Sequence, residues 1–109
     1  MYIKLFARTK NRDEALQIFC DATSSLANEI KEQNIIKTEP YWKIEEIYVI
    51  KADTKLYNTL TNEQLKKLWN SISDKWTFYG NPVDEALASL TTEGCNYILK
   101  GIYMINILL

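Results

Sequence analysis

The chain is 109 residues long, with 13 Lys and Arg against 14 Asp and Glu and no histidine. That length suits one domain, residues 1–109, whose hydrophobic core needs neither metal nor disulfide staples. The missing histidine excludes histidine-based triads, histidine proton shuttles and the common zinc sites, and a net charge of -1 leaves no electrostatic footprint for nucleic acid.

In chain order, residues 2–8 alternate Ile3, Leu5 and Ala7 with Tyr2, Lys4, Phe6 and Arg8, the period of a strand whose Ile3/Leu5/Ala7 side faces the core. Asn11, with Glu14 three residues on, predicts the N-cap of a helix. Its apolar stripe of Leu16, Phe19, Thr23, Leu26 and Ile30 carries that helix through about five or six turns to Asn34. Ile35 and Ile36 restart extended structure, and Pro40, with no N–H to donate, places the next strand near a sheet edge or marks a bulge. In YWKIEEIYVIK, residues 41–51, a β-bulge at Glu45 and Glu46 keeps Trp42, Ile44, Ile47 and Val49 inward and both carboxylates in solvent.

Residues 51–60 read as a polar connector. Thr61 and Gln64 predict a capping box for a second helix, striped by Leu65, Leu68, Trp69 and Ile72 and ended by Ser73-Asp74. A short strand over 75–79 turns at Gly80. Asn81 and Pro82 then open a short helix, 82–89, with Asp84 and Glu85 in its first turn; an extended segment is the alternative. Gly94 leads into a last strand, 96–108, in which Gly101 marks a bulge or close packing. The order predicts a ferredoxin-like α+β sandwich: about four strands, antiparallel or mixed, with two main helices on one face.

Few residues point to chemistry. Gly80, Gly94 and Gly101 share no phosphate-binding spacing, so no nucleotide cofactor is indicated. Cys20 and Cys95 match no metal-ligand pattern and read as reduced, packed thiols. The adjacent carboxylates Glu45/Glu46 and Asp84/Glu85 diverge from each other, which suits partner contact better than shared-proton catalysis; neither a catalytic residue nor a metal site is expected. No apolar run is long enough to span a membrane and no signal peptide opens the chain, so the expected location is the cytoplasm.

The stretch WTFYGNPVDEALASL, residues 76–90, is the least ordinary. Between Lys75 and Lys100 there is no Lys or Arg, and the charges there, Asp84, Glu85 and Glu93, are all negative, which predicts a local acidic patch. Trp42 and Trp76 read as core residues, with half-exposed interface anchors as the alternative, and Glu45 and Glu46 as solvated surface or partner contacts.

In EPYWKIEEIYVI and WTFYGNPVDEALASL the chain resembles the small immunity proteins that bacteria make beside polymorphic toxins, in particular those of contact-dependent growth inhibition systems. The resemblance implies a non-enzyme, a monomer in a 1:1 complex, that covers the active site of a cognate toxin C-terminal domain, commonly a nuclease. A nuclease cleft is basic, so Asp84, Glu85 and Glu93 would supply complementary charge and Tyr79 and Trp42 buried contact, with no direct contact to nucleic acid or membrane. The alternative is a ferredoxin-like ligand-binding or regulatory module acting as a dimer.

Overall fold

Strand β1 (Tyr2–Ala7) runs through the middle of the computed structural model, which describes residues 1–109, and is hydrogen-bonded to a strand on each side. Those neighbours are β3 (Tyr48–Leu56) and β6 (Ile102–Leu108); β2 (Ile30–Pro40) lies outside β3, and β5 (Glu85–Ser89) and then β4 (Thr77–Tyr79) lie outside β6. The result is one six-stranded sheet in the order β2-β3-β1-β6-β5-β4, antiparallel at every pairing. Two helices, α1 (Arg12–Thr23) and α2 (Asn62–Ile72), complete an α+β fold.

The core forms where the helices meet one face of the sheet. Ile3, Leu5 and Ala7 of β1, Ile50 and Ala52 of β3, Ala88 of β5 and Ile105 and Ile107 of β6 are buried against Ala15, Phe19, Leu68 and Ile72 of the helices. Burial of each large member contributes about 2 kcal/mol relative to leaving it in water. The expected inward side of β1 is therefore the observed one.

Both helix starts follow the sequence. Asn11 Oδ1 accepts from the Glu14 amide at 2.9 Å, and Thr61 and Gln64 form a complete capping box. The first helix, however, stops at Thr23 and a 3-10 turn, Ser24–Leu26, and does not reach Asn34. Thr23 Oγ1 donates to the Phe19 carbonyl and Ser24 Oγ to that of Asp21, local bonds that compete with helix propagation. Leu26 already closes the apolar stripe by being buried, and the chain after Ile30 gains more by pairing with β3.

The sheet has six strands and not about four because two segments take the less obvious state. Residues 51–56 belong to β3 and are no connector: Ala52 and Thr54 point inward between Lys51, Asp53 and Lys55, an alternation hidden by the small size of the inward residues. Residues 82–89 are not a helix. Ala86 and Ala88 are buried at strand spacing, and pairing of β5 with β6 overrides the helix preference of Glu-Ala-Leu-Ala. The bulge placed at Glu45 and Glu46 is also replaced: the β2–β3 ladder ends at Pro40 and Tyr48, and residues 41–47 leave the sheet as a loop. Finally, the last strand begins at Ile102, not Asn96.

Gly101 turns the chain into β6 with φ +91°, and a Cβ there would meet Ile18 Cδ1 at 2.5 Å, the close packing expected of it. Gly101→Ala should cost about 1–2 kcal/mol through the left-handed backbone alone, read as a lower urea midpoint at unchanged m. A variant as stable as the parent would show that the turn relaxes freely.

Candidate protein-binding face

Because both helices lie on one side, the opposite face of the sheet has no layer over it. Cross-strand register defines what it displays, since paired residues share a face. At one end, Tyr79, Glu85, Leu108, Tyr2, Asp53 and Asn34 are successive partners across all six strands. The next outward-facing row along the strands reads Thr77, Leu87, Asn106, Lys4, Lys51 and Lys37. The third brings Met104, Phe6 and Val49 together.

That third row is apolar, and the loop 41–47 covers it. Phe6, Ile47 and Val49 form a small buried cluster with Tyr41, Tyr103 and Met104 packed on it, separate from the main core. Tyr41 meets Phe6 edge-on with ring centroids 5.0 Å apart, and its amide donates to the Ile47 carbonyl at 2.8 Å, closing the loop at its base. Glu46 takes φ +65° and pairs with Lys10 at 3.3 Å. On this braced support Trp42 stands 82% exposed, with Lys43 over its ring and the Tyr41 ring tilted against it at 6.2 Å, while Ile44 and Glu45 are exposed beside it. A large aromatic left in water on a closed loop has the character of an interface anchor.

The other tryptophans have structural roles. Trp76 Nε1–H donates to the carbonyls of Trp69 and Ser73, satisfying the end of α2, and its ring lies 4.8 Å from that of Trp69. Phe78 extends this cluster on the helix side of the sheet.

Tyr79, Asp84 and Glu85 come together at the β4–β5 hairpin. The Asp84 amide donates to the Tyr79 carbonyl at 3.0 Å, Tyr79 and Glu85 are direct partners, and Glu85 Oε2 accepts from Asn106 Nδ2 at 2.9 Å. Neither acid has a basic partner within ion-pairing range. Glu93 follows the far end of β5, which itself runs about 13 Å from Glu85 to Ser89, against a screening length of about 8 Å at physiological salt. Its loop is tied to the helix side, where Asp74 accepts from the amides of Asn96 and Tyr97 and Ser73 bridges to Ile98. Trp42, Glu45 and Glu46 occupy the corner diagonal to the hairpin, and Glu46 is already neutralised by Lys10.

The expected acids thus do not form one patch. Asp53 shares the row of Glu85 through register, but Leu108 and Tyr2 stand between them and three interstrand spacings, about 14 Å, keep it from replacing Glu93 in a patch. The alternation of 51–55 is the signal for Asp53, masked when that stretch is read as a connector. The largest cleft, about 760 Å3, opens next to this end of the sheet, with walls from Leu56, Leu60, Leu65 and Val83 and with Lys31, Asp53 and Lys55 as its ionisable side chains. No cluster of His, Cys, Asp or Glu is placed to hold a metal ion, and no helix is long and apolar enough to cross a membrane. Comparison with protein-family models, curated proteins and solved structures finds no match to this chain.

Trp42→Ala should leave stability within about 0.5 kcal/mol of the parent, whereas Tyr41→Ala, which uncovers Phe6, should cost about 2–3 kcal/mol by urea unfolding. Equal losses would mean that Trp42 is packed. The bonds to Asp74, that from the Tyr97 amide foremost, hold its pKa below the ordinary aspartate value. A depressed folded pKa stabilises above the unfolded value, about 3.9, and this contribution disappears as pH falls through the folded one. Asp74→Asn should therefore flatten part of the loss of stability below about pH 4; an acid limb as steep as the parent's would exclude the clamp.

Proposed function

We propose that this chain is a toxin immunity protein, a non-enzyme that binds a cognate toxin domain, a basic nuclease, and blocks its active site in a 1:1 complex inside the cytoplasm. The single observation that carries the reading is the uncovered sheet face, with Tyr79, Glu85, Tyr2 and Asp53 in one row and the exposed Trp42 raised at the diagonal corner. A broad antiparallel face offers rigid area at little ordering cost, and the unpaired acids Asp84 and Glu85 favour approach of a basic cleft. We also read β1, α1, β2, β3, α2 and β6 as a ferredoxin-like core, since their sheet order is β2-β3-β1-β6, with the β4–β5 hairpin as an addition beyond β6.

The dimeric regulatory module is the second reading. What favours it is β2, an 11-residue edge strand with Ile35 and Ile36 exposed. Two register shifts in β2 and its final Pro40 work against pairing with another copy, as such features blunt edges.

The test is co-expression with the toxin domain encoded beside this chain. Parent protein should restore growth and co-purify 1:1 with the domain. Asp84→Lys/Glu85→Lys should slow association about tenfold at low salt, an effect that fades at high salt. Growth protection without any complex, or a stable dimer by light scattering that excludes the toxin, would sink the proposal.

A further inference from the structure

The uncovered face carries a basic row that the acidic hairpin does not account for. Register pairs Lys51 with Lys4 on one side and with Lys37 on the other, so three lysines stand on adjacent strands on the face turned away from the helices. Direct cross-strand neighbours are about 5 Å apart, and like charges so placed destabilise a sheet. The ion pairs of the chain are Lys10–Glu46, Lys37–Glu39 and Lys55–Glu32, which leaves Lys4 and Lys51 without a carboxylate. Lys4 sits 5.2 Å from the Phe6 ring centroid, while Lys51, in the middle, has neither kind of partner.

The surroundings restrict what can neutralise this row. Two residues along β3 from Lys51, about 7 Å away, is Asp53, and two along β2 from Lys37 is its ion-pair partner Glu39, while Glu85 lies one row along and two strands across from Lys4. A nucleic-acid backbone running along the strands would pass from the lysines straight onto carboxylates. Across the strands the row spans two interstrand spacings, about 10 Å, which leaves room for one or two compact anions. Asn106, next to Lys4 in the same row, closes it on that side, since its Nδ2 already donates to Glu85 Oε2.

We infer that Lys4, Lys51 and Lys37 form a recognition row for clustered carboxylates on the protein that covers this face. The inference rests on the reading of that face as a protein-binding surface. It specifies a partner whose contact is not uniformly basic but sets carboxylates against the lysine row and basic side chains against the Glu85/Asp53 row. A metal-dependent phosphodiesterase has that arrangement, with metal-holding acids amid phosphate-binding cations.

The experiment is an amide chemical-shift titration of the intact chain with a hexaglutamate peptide at low salt, in parallel with a single-stranded oligodeoxynucleotide of equal charge. The expected result is saturable shifts centred on Lys4, Lys51 and Lys37 with the peptide, and weaker effects with the oligonucleotide. Lys51→Glu should weaken peptide binding at least about tenfold, with a Tm at or above the parent's because the like-charge row is broken; Lys51→Gln should fall between. Tighter oligonucleotide binding, shifts centred elsewhere, no shifts with either probe, or undiminished binding by Lys51→Glu would each overturn the inference. Toxin protection can fail while the peptide still binds this row, and the reverse, so the two proposals are separable.

Discussion

Two short helices cover only one side of a six-stranded sheet, and most of the molecule's character stems from that imbalance. Antiparallel pairing of β1 with β3 and β6 fixes Ile3, Leu5 and Ala7 on the covered side, and a slip of one residue would send them all into water. The same parity sends Tyr2, Lys4 and Phe6 to the other side. That side has to be tolerable to water without a second layer, and the chain manages it in two ways. Most positions there are polar or charged, and the apolar group around Phe6 and Val49 is roofed by the loop 41–47.

The roof explains a contrast that residue type alone does not. Phe6 and Trp42 are both large aromatics in stretches of strand-like sequence, yet one is buried and the other stands in solvent. Tyr41 and Ile47 close the loop over Phe6, and the residues between them are lifted away from the sheet. Glu46 in a left-handed conformation and its ion pair with Lys10 belong to the same closure. Exposure of Trp42 is therefore a by-product of covering Phe6, or its purpose; physically the two are one arrangement.

Strong periodicity and side-chain capping were legible in the sequence: the alternation of β1, the Asn11 cap, the capping box at Thr61 and the close approach at Gly101 all lie where pattern alone puts them. What misled was local preference overruled by pairing. Glu-Ala-Leu-Ala at 85–88 favours a helix in isolation but is drawn onto β6, and the stripe from Leu16 to Ile30 runs past the true helix end because Ile30 opens a strand. The acidic window was a correct count of charges along the chain and a poor guide to their positions. An extended strand carries successive acids apart, so Glu93 is lost from the group, while Asp53, distant in sequence, comes into the same row as Glu85 but three strands across.

The β4–β5 hairpin is attached to the rest of the sheet through β5 alone, and its turn at Gly80 to Asp84 lies outside the main core. The turn's tie to the central strands is the Leu109 amide, which donates to the Asp84 carbonyl at 2.8 Å, so changes that keep this bond leave the main core untouched. The hairpin tip can thus vary in length and charge while the central strands keep their packing, so the chemistry of that end of the sheet is uncoupled from the stability of its middle.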